Sequence, residues 1–221
     1  MIKTAQDIKS YKMKLKEALE DEFLRKALDT FNTVYRENRP TVYQGIDFDG
    51  IKEEIAAGKE AALSRLTELF VEFKTKAEAT GAKVHVAKDA HAANEIIAAI
   101  AEENNVKKII KSKSMTAEET FLNDHLEKKD FIVTETDLGE WIIQLRHEGP
   151  SHMVMPAIHL SRYQVGDLFE GVAKKKLDSE NIDKLVKVAR QVLRPAYLEA
   201  DMGISGANFA IAESGALGPV T

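Results

Sequence analysis

The sequence predicts an α/β fold: a parallel-rich sheet flanked by helices, with an N-terminal helical arm. Two observations predict it. After residue 81, short apolar runs alternate with helical patterns in β-α-β-α-β order, which is typical of a mostly parallel sheet. Two long helical patterns come before the first of these runs. A content of 44% hydrophobic and 30% charged residues in 221 is ordinary for a soluble globular protein.

The arm is predicted from an apolar face that recurs at a spacing of four within a helix over residues 7–38. That face comprises Leu15, Leu19, Phe23, Ala27 and Phe31. The step from Arg39 to Pro40 is expected to end the helix, because the residue before a proline is pushed out of the α region. Residues 42–49 show no period and are interpreted as a linker. Residues 1–50 are therefore predicted as an arm and linker that packs on the main domain or serves as an interface.

Residues 51–221 are predicted as the α/β domain. A helix over 51–80 is expected to be closed by Gly81 as its C-cap glycine. Thr116 and Glu119 have the spacing of a capping box. The remaining predictions are strands over 84–87, 106–110, 131–134 and 153–158, and helices over 90–104, 116–128, 162–173 and 181–200.

Charge and cysteine content exclude several classes of protein. A net charge of −5 argues against a general nucleic-acid binder. There is no cysteine, so a disulfide or an iron–sulfur cluster cannot form within this segment. The sequence has no apolar run long enough to span a bilayer and no signal-peptide pattern, which makes a cytoplasmic protein the default. No metal site is expected, because His147, His152 and His159 match no familiar helical ligand spacing.

The segment from Lys111 to Ser114 falls between a predicted strand and a predicted helix. Ligands of open α/β sheets bind outside the carboxyl ends of the strands. We therefore expect Lys111, Ser112, Lys113 and Ser114 to hold a phosphate or carboxylate group. The alternative is a solvated lysine cluster with the serines acting as helix caps.

Three carboxylates follow the next strand and open onto the same edge of the sheet. Glu135, Asp137 and Glu140 could pair with the lysines, bind a metal or cap the following helix. The spacing favours Asp137 as an N-cap with Glu140 in reciprocal capping. His152 could act as a proton donor near an anion.

The glycine-rich stretch from Gly203 to Leu217 contains the candidate catalytic residue. Its apolar run over 209–212 has glycines on both sides and is interpreted as a strand buried on both faces that closes the sheet. Glu213 follows this strand, and Asn208, Ser214 and Gly215 are predicted to bind substrate beside it. Gly215 would let a ligand or a second backbone approach closely. The alternative is a glycine-rich β-turn with a solvated glutamate.

Four motifs in order resemble one known family. They are Lys111–Met115, Glu135–Gly139, Pro150–His152 with Pro156–His159, and Gly203–Gly215. Together they are similar to the N-terminal LUD domain of the iron–sulfur B proteins of the lactate utilization system. The resemblance implies the fold of the ribose-5-phosphate isomerase and coenzyme A transferase group. It also implies a part in a cytoplasmic multi-subunit complex that oxidises L-lactate to pyruvate.

The resemblance implies two further features. Members continue into a region with cysteines for [4Fe–4S] clusters, so this chain is expected to be truncated before such a region. The related transferases carry a catalytic glutamate in a Ser-Glu-Asn-Gly setting, and the segment over 212–215 is similar except that serine replaces asparagine. Two alternatives stay open: a self-contained enzyme that uses Glu213 on a phosphorylated sugar or acyl-CoA, and a structural docking module.

Overall fold

The computed structural model describes residues 5–220, with side chains from residue 8 onward. Thr221, the last residue of the predicted α/β domain, lies outside them. Helices precede the sheet as expected: α1 (Ala5–Glu20), α2 (Glu22–Val42), α3 (Phe48–Ser64), α4 (Leu66–Ala79) and α5 (Ala90–Glu103). The later helices are α6 (Met115–Glu119), α7 (Leu122–Glu127), α8 (Leu138–Arg146), α9 (Arg162–Ala173) and α10 (Ile182–Glu199).

A small parallel sheet lies at the centre of the α/β part. Its strands are β1 (Lys108–Lys111), β2 (Ile132–Glu135) and β3 (Met202–Ile204), in the order β2-β1-β3. Both pairings are parallel, and Lys111 is in register with Glu135 on one side and Ile204 on the other. The prediction of a parallel sheet flanked by helices is confirmed.

One side chain fixes β3 beside β1. The Asp201 carboxylate accepts hydrogen bonds from the backbone N–H groups of Lys107 and Lys108, both at 2.9 Å. These hydrogen bonds lower the pKa of Asp201, since they stabilise its charged form. The third strand is therefore anchored by a group just before its first residue.

Two apolar clusters form the core. One packs α5 and α7 on the sheet and includes Ala98, Ile109, Leu126 and Val133. The other joins α8, α9 and α10, with Trp141 and Phe169 at its centre and their rings 5.2 Å apart. These clusters hold the helices that carry the polar residues at the sheet edge.

The N-terminal helices differ from the prediction in where they break. The helix expected over 7–38 is two helices, since Asp21 caps a new one by accepting a hydrogen bond from Leu24. The expected helix end before Pro40 is wrong, because Pro40 lies inside α2. The helix continues to Val42, and the N–H of Tyr43 still donates to the carbonyl of Arg39. The helix expected over 51–80 is also two, which meet at Arg65. Gly81 has φ +96° after Thr80, as expected of a C-cap glycine.

Two predicted strands and one predicted helix are wrong. Residues 84–87 have no regular structure, and Val86 is exposed, because no strand within residues 5–220 pairs with them. Residues 153–158 form bends and turns. The helix expected over 116–128 breaks at Phe121, which has φ 53°, and it begins with Ser114 as the cap in place of Thr116.

The apolar run over 209–212 does not close the sheet. It forms β4 (Phe209–Ile211), which pairs antiparallel with β5 (Ala216–Gly218) in a separate hairpin. All three residues of β4 are exposed, so the interpretation as a doubly buried strand is wrong. The glycine-containing turn at 212–215 folds the chain back, so the run pairs with β5 and does not join the parallel sheet.

Candidate functional site at the sheet edge

A buried lysine forms the centre of the polar group at the carboxyl ends of β1 and β2. Lys111 is 0% exposed, and its Nζ lies 2.8 Å from Glu135 Oε1 and 3.3 Å from Glu118 Oε1. Lys111 and Glu135 end neighbouring parallel strands in register, so their side chains leave the same face of the sheet. Asn123 on α7 also donates to Glu135.

A second lysine extends this group towards the surface. Lys113 Nζ lies 3.5 Å from Glu140 Oε1 and donates to the carbonyl of Val154 at 3.0 Å. Lys111, Lys113, Glu118, Glu135 and Glu140 are called the lysine–glutamate cluster below. Three carboxylates against two ammonium groups leave it with a formal charge of −1.

Burial raises the pKa of two of these carboxylates, Glu135 and Glu140. Burial raises the pKa of Glu135, while hydrogen bonds from Lys111 and Asn123 oppose the rise. Burial also raises the pKa of Glu140, and the neighbouring charge of Glu118 adds to the rise. Glu135 Oε2 and Glu140 Oε1 are buried and accept no hydrogen bond from the described residues. Glu135 Oε2 is therefore available to a hydrogen-bond donor, whereas Glu140 Oε1 faces the ammonium group of Lys113 at 3.5 Å.

A cavity of about 560 Å³ opens beside the cluster, between α6, α7 and α8. Its walls are strongly acidic and contain Glu118, Glu119, Asp124, Glu127, Glu135, Glu140 and Glu148. An anion would be repelled there while these groups are ionised. The cavity suits a hydrogen-bond donor or a cation better than the phosphate or carboxylate expected from the sequence.

The four residues from Lys111 to Ser114, predicted to bind an anion, differ in their burial and contacts. Lys111 is fully buried and neutralised by two carboxylates, whereas Lys113 is 29% exposed and still reaches the surface. The Ser112 hydroxyl donates to that of Ser205 at 2.9 Å, beside β3. Ser114 caps α6 by accepting from the N–H of Ala117, as in the alternative reading of the serines. Lys113 and Ser112 are thus the members best placed to meet a ligand.

Asp137 is the N-cap of α8, as predicted. Its Oδ1 accepts hydrogen bonds from the N–H groups of Gly139 and Glu140. The reciprocal role predicted for Glu140 is wrong, because its side chain turns towards Lys113 and is only 2% exposed.

His152 stabilises a turn. Its Nδ1 accepts from the N–H groups of Val154 and Met155, and its ring packs edge-on against Phe31 of α2. His152 thereby orients the same turn whose Val154 carbonyl receives Lys113. A positioning role accounts for these contacts without proton transfer.

The glutamate predicted to be catalytic lies on the β4–β5 hairpin. Glu213 is exposed, and it is not among the residues that line the acidic cavity. The turn has φ +72° at Gly215, and a Cβ there would lie 2.3 Å from the backbone nitrogen of Ala77. The close approach expected at Gly215 is therefore made by the backbone of α4.

The other two predicted substrate-binding residues of this stretch stabilise the hairpin. Asn208 Oδ1 accepts from the N–H of Val220. The Ser214 hydroxyl accepts from the N–H of Ala216. The substrate-binding role of Asn208 and Ser214 and the catalytic role of Glu213 stay predictions. The contacts described for Asn208 and Ser214 are made within the hairpin segment and do not involve the lysine–glutamate cluster.

Sequence reasoning missed Glu118 and gave Glu140 a different role. Glu118 follows Lys111 by seven residues, with a strand end and a helix start between them, so no periodicity links the two. Only the composition of the two strand ends gave a signal. Lysines follow one strand and carboxylates follow the next, which predicts ion pairs if the two strands are neighbours in the sheet.

Parallel strands with a buried lysine–glutamate cluster at their carboxyl ends define an α/β protein with a polar site at its sheet edge. The chain belongs to the LUD domain family, whose model matches residues 71–221. The resemblance seen in the sequence is confirmed.

Several curated relatives are similar to this chain over nearly its whole length. It is 36% identical over 217 residues to lactate utilization protein B of Oceanobacillus iheyensis, and 36% identical over 220 residues to that of Bacillus subtilis. Each match covers 96% of this chain and 44% of the relative, in the N-terminal part. The chain thus spans less than half the length of these relatives. No solved structure gives a significant match.

Proposed function

We propose that this chain acts in lactate utilization, as the ligand-binding and assembly domain of a cytoplasmic complex that oxidises L-lactate to pyruvate. The observation that carries the proposal is the 36% identity to lactate utilization protein B over 96% of the chain. We also propose that its fold is that of the ribose-5-phosphate isomerase and coenzyme A transferase group. The small parallel sheet with helices around it supports this relationship.

Oxidation of L-lactate to pyruvate removes two electrons and two protons, so an electron acceptor is required. The residues of this chain do not fit a [4Fe–4S] cluster, because cysteine thiolates ligate such clusters and the chain has no cysteine. In this proposal the clusters belong to the remainder of a longer protein or to other subunits.

Growth on different carbon sources tests the assignment. Removal of the gene is expected to abolish growth on L-lactate as the sole carbon source and to leave growth on pyruvate unchanged. Equal growth on both in the deletion strain would contradict a role in lactate oxidation. Equal loss on both would place the defect after pyruvate and would contradict it as well.

The assembly role is supported by the N-terminal helices. Within their described residues, α2 and α3 have no buried side chain. Leu15, Leu19 and Phe23, three members of the predicted apolar face, are 46%, 61% and 46% exposed. These apolar side chains, two on α1 and one at the start of α2, are left in water, as is typical of a surface that binds a protein partner. We assign this face to the other subunits of the complex.

Substitution of that face tests assembly. Leu15→Ser, Leu19→Ser and Phe23→Ser together are expected to abolish co-purification with the other subunits. The control replaces exposed lysines of the same helices, Lys12→Ser, Lys16→Ser and Lys26→Ser, and is expected to retain it. Equal binding by both triple variants would exclude this face.

The ligand-binding role is supported by Lys113, whose ammonium group could hold a small carboxylate by a charge-assisted hydrogen bond. Lys113→Gln is expected to weaken the binding of L-lactate, measured by calorimetry, at least about tenfold and to flatten its salt dependence. Lys108→Gln is the control, since Lys108 pairs with Glu199 on the surface. Unchanged affinity in the Lys113 variant would remove this role.

A second candidate is a self-contained enzyme that uses Glu213 on a phosphorylated sugar or an acyl-CoA. It is supported by the exposed Glu213 carboxylate and by the similarity of residues 212–215 to the transferase motif. Glu213→Gln should abolish turnover of such a substrate with the fold intact, whereas Glu60→Gln should not. If the wild-type protein turns over neither class of substrate, this candidate is excluded.

A further inference from the structure

A histidine–glutamate–histidine group on α5 and α7 shares no residue with the lysine–glutamate cluster, and none of the functions above uses it. It consists of His91 and Glu95 on α5 and His125 on α7. His91 and Glu95 are four residues apart, so they share one face of the helix, one turn from each other. One nitrogen of each histidine and one carboxylate oxygen all lie within 4.8 Å of one another.

The two helices that carry these residues are fixed with respect to each other. Asn94, next to Glu95, is 5% exposed and donates to the carbonyl of Thr120 at 2.7 Å, just before α7. Leu122 and Leu126 of α7 pack with Ala98 of α5 in the core. The group is therefore held on two rigid elements, as a preorganised binding site requires.

The distances suit a transition metal. Glu95 Oε1 lies 3.4 Å from His125 Nε2. A tetrahedral zinc ion with bonds of about 2.0–2.1 Å places its ligand atoms about 3.3 Å apart. The imidazole rings of His91 and His125 are 6.1 Å apart between centroids and inclined by 73°, so they approach from different directions.

One ring nitrogen of His125 lacks a hydrogen-bond partner. Its Nε2 is buried and has no hydrogen-bond partner among the described residues. A buried ring nitrogen without a partner is costly. A metal ion between the three side chains would provide that partner, since neutral imidazole donates a lone pair to it.

The two carboxylate oxygens of Glu95 face different partners, which suits a ligand that binds a metal through one oxygen. Oε1 faces His125, while Oε2 lies 3.1 Å from Lys129 Nζ, which is also 3.5 Å from Glu102. Lys129 therefore orients the ligand and leaves the other oxygen for the metal, as outer-shell partners do in metal sites.

We propose that His91, Glu95 and His125 form a binding site for a divalent transition metal of the zinc class. Two imidazoles and one carboxylate favour Zn²⁺ or a similar ion over Mg²⁺ and Ca²⁺, which prefer oxygen ligands. His91 is exposed, so the ion enters from solvent and keeps at least one position for water. The ion joins α5 to α7 across the surface of the core.

Calorimetric titration of the full chain with Zn²⁺, after removal of bound metal with a chelator, tests the site. One equivalent is expected to bind, with little binding of Mg²⁺ or Ca²⁺. His91→Ala and Glu95→Gln are each expected to lose at least about tenfold in affinity. His85→Ala is the control, since His85 is an exposed histidine outside the group.

Two readouts independent of affinity complete the test. Zn²⁺ should raise the melting temperature of the wild type and not that of the His91→Ala, His125→Ala double variant. In the NMR spectrum Zn²⁺ should shift the ring nitrogens of His91 and His125 and leave those of His85. The absence of Zn²⁺ binding, or equal binding by the wild type and the double variant, would overturn the proposal.

Discussion

Lys111 Nζ lies 2.8 Å from Glu135 Oε1, and the two side chains are 0% and 2% exposed. The pair joins the last residues of two parallel strands that are in register. A buried ion pair is weak evidence for stability by itself, but the loss of one partner leaves a charge in the core. This asymmetry makes the pair testable.

Lys111→Met is expected to lower the free energy of unfolding by about 3–5 kcal/mol, because Glu135 then stays buried without its cation. Chemical denaturation measures the loss. The double variant Lys111→Met, Glu135→Leu should recover a large part of it, since no buried charge is left. A single variant as stable as the wild type would show that Glu135 is satisfied by Asn123 alone.

Glu140→Gln is expected to stabilise the protein at pH 7. The fold raises the pKa of Glu140 above its ordinary 4.5, mainly through burial. The stability that this group contributes is therefore present below pH 4.5 and is lost as the pH rises through the folded pKa. The advantage of the variant should shrink as the pH falls, in denaturation curves recorded at several pH values. Glu119→Gln, at an exposed glutamate of α6, should be neutral throughout.

Arg146→Ala is expected to raise the pKa of Glu148, which hydrogen bonds from Arg146 and then His159 hold at about 2. A carboxyl with a lowered pKa stabilises the fold above its ordinary pKa of 4.5, and this stability is lost as the pH falls towards 2. NMR titration of the Glu148 carboxyl measures the change. A titration midpoint that does not move would mean that Arg146 makes no such bond in solution.

Gly215→Ala is expected to destabilise the protein by at least about 1–2 kcal/mol, because φ there is +72° and the new Cβ would meet the backbone of α4. Gly58→Ala is the matched control. Gly58 lies within α3 with open space around its Cα, so alanine should be neutral or stabilise the helix by up to about 1 kcal/mol. Thermal unfolding of both variants compares them. Equal melting temperatures would contradict the packing of the hairpin on α4.

One helix was predictable from its local sequence, whereas the capping-box spacing at Thr116 misplaced the start of another. The helix expected over 162–173 has those bounds in the structure, where Ser161 and Gln164 form a capping box. Strands were predictable only where a partner existed. Residues 84–87 have as apolar a pattern as β1, yet they pair with no strand in the described part of the chain and stay irregular. Pairing depends on distant residues, which local pattern does not contain.

The site was predictable in its location and not in its balance of charge. Lys111 and Glu135 were both candidates because they end strands, and the structure brings them together. That the lysine would be neutralised could not be read from either segment alone. The net charge of a site depends on which side chains face each other in the fold. Glu118 contacts Lys111 from α6, and no sequence period links that helix to β1.

The anchoring of β3 by Asp201 also bears on how the chain folds. The Asp201 carboxylate bonds to backbone groups 93 and 94 residues earlier. Contacts this far apart in sequence form late, since a long loop must close before they contribute. On the ribosome, β1 and β2 can pair while the third position of the sheet stays open, until residues 201–204 have emerged. One edge of the central strand is therefore exposed during synthesis.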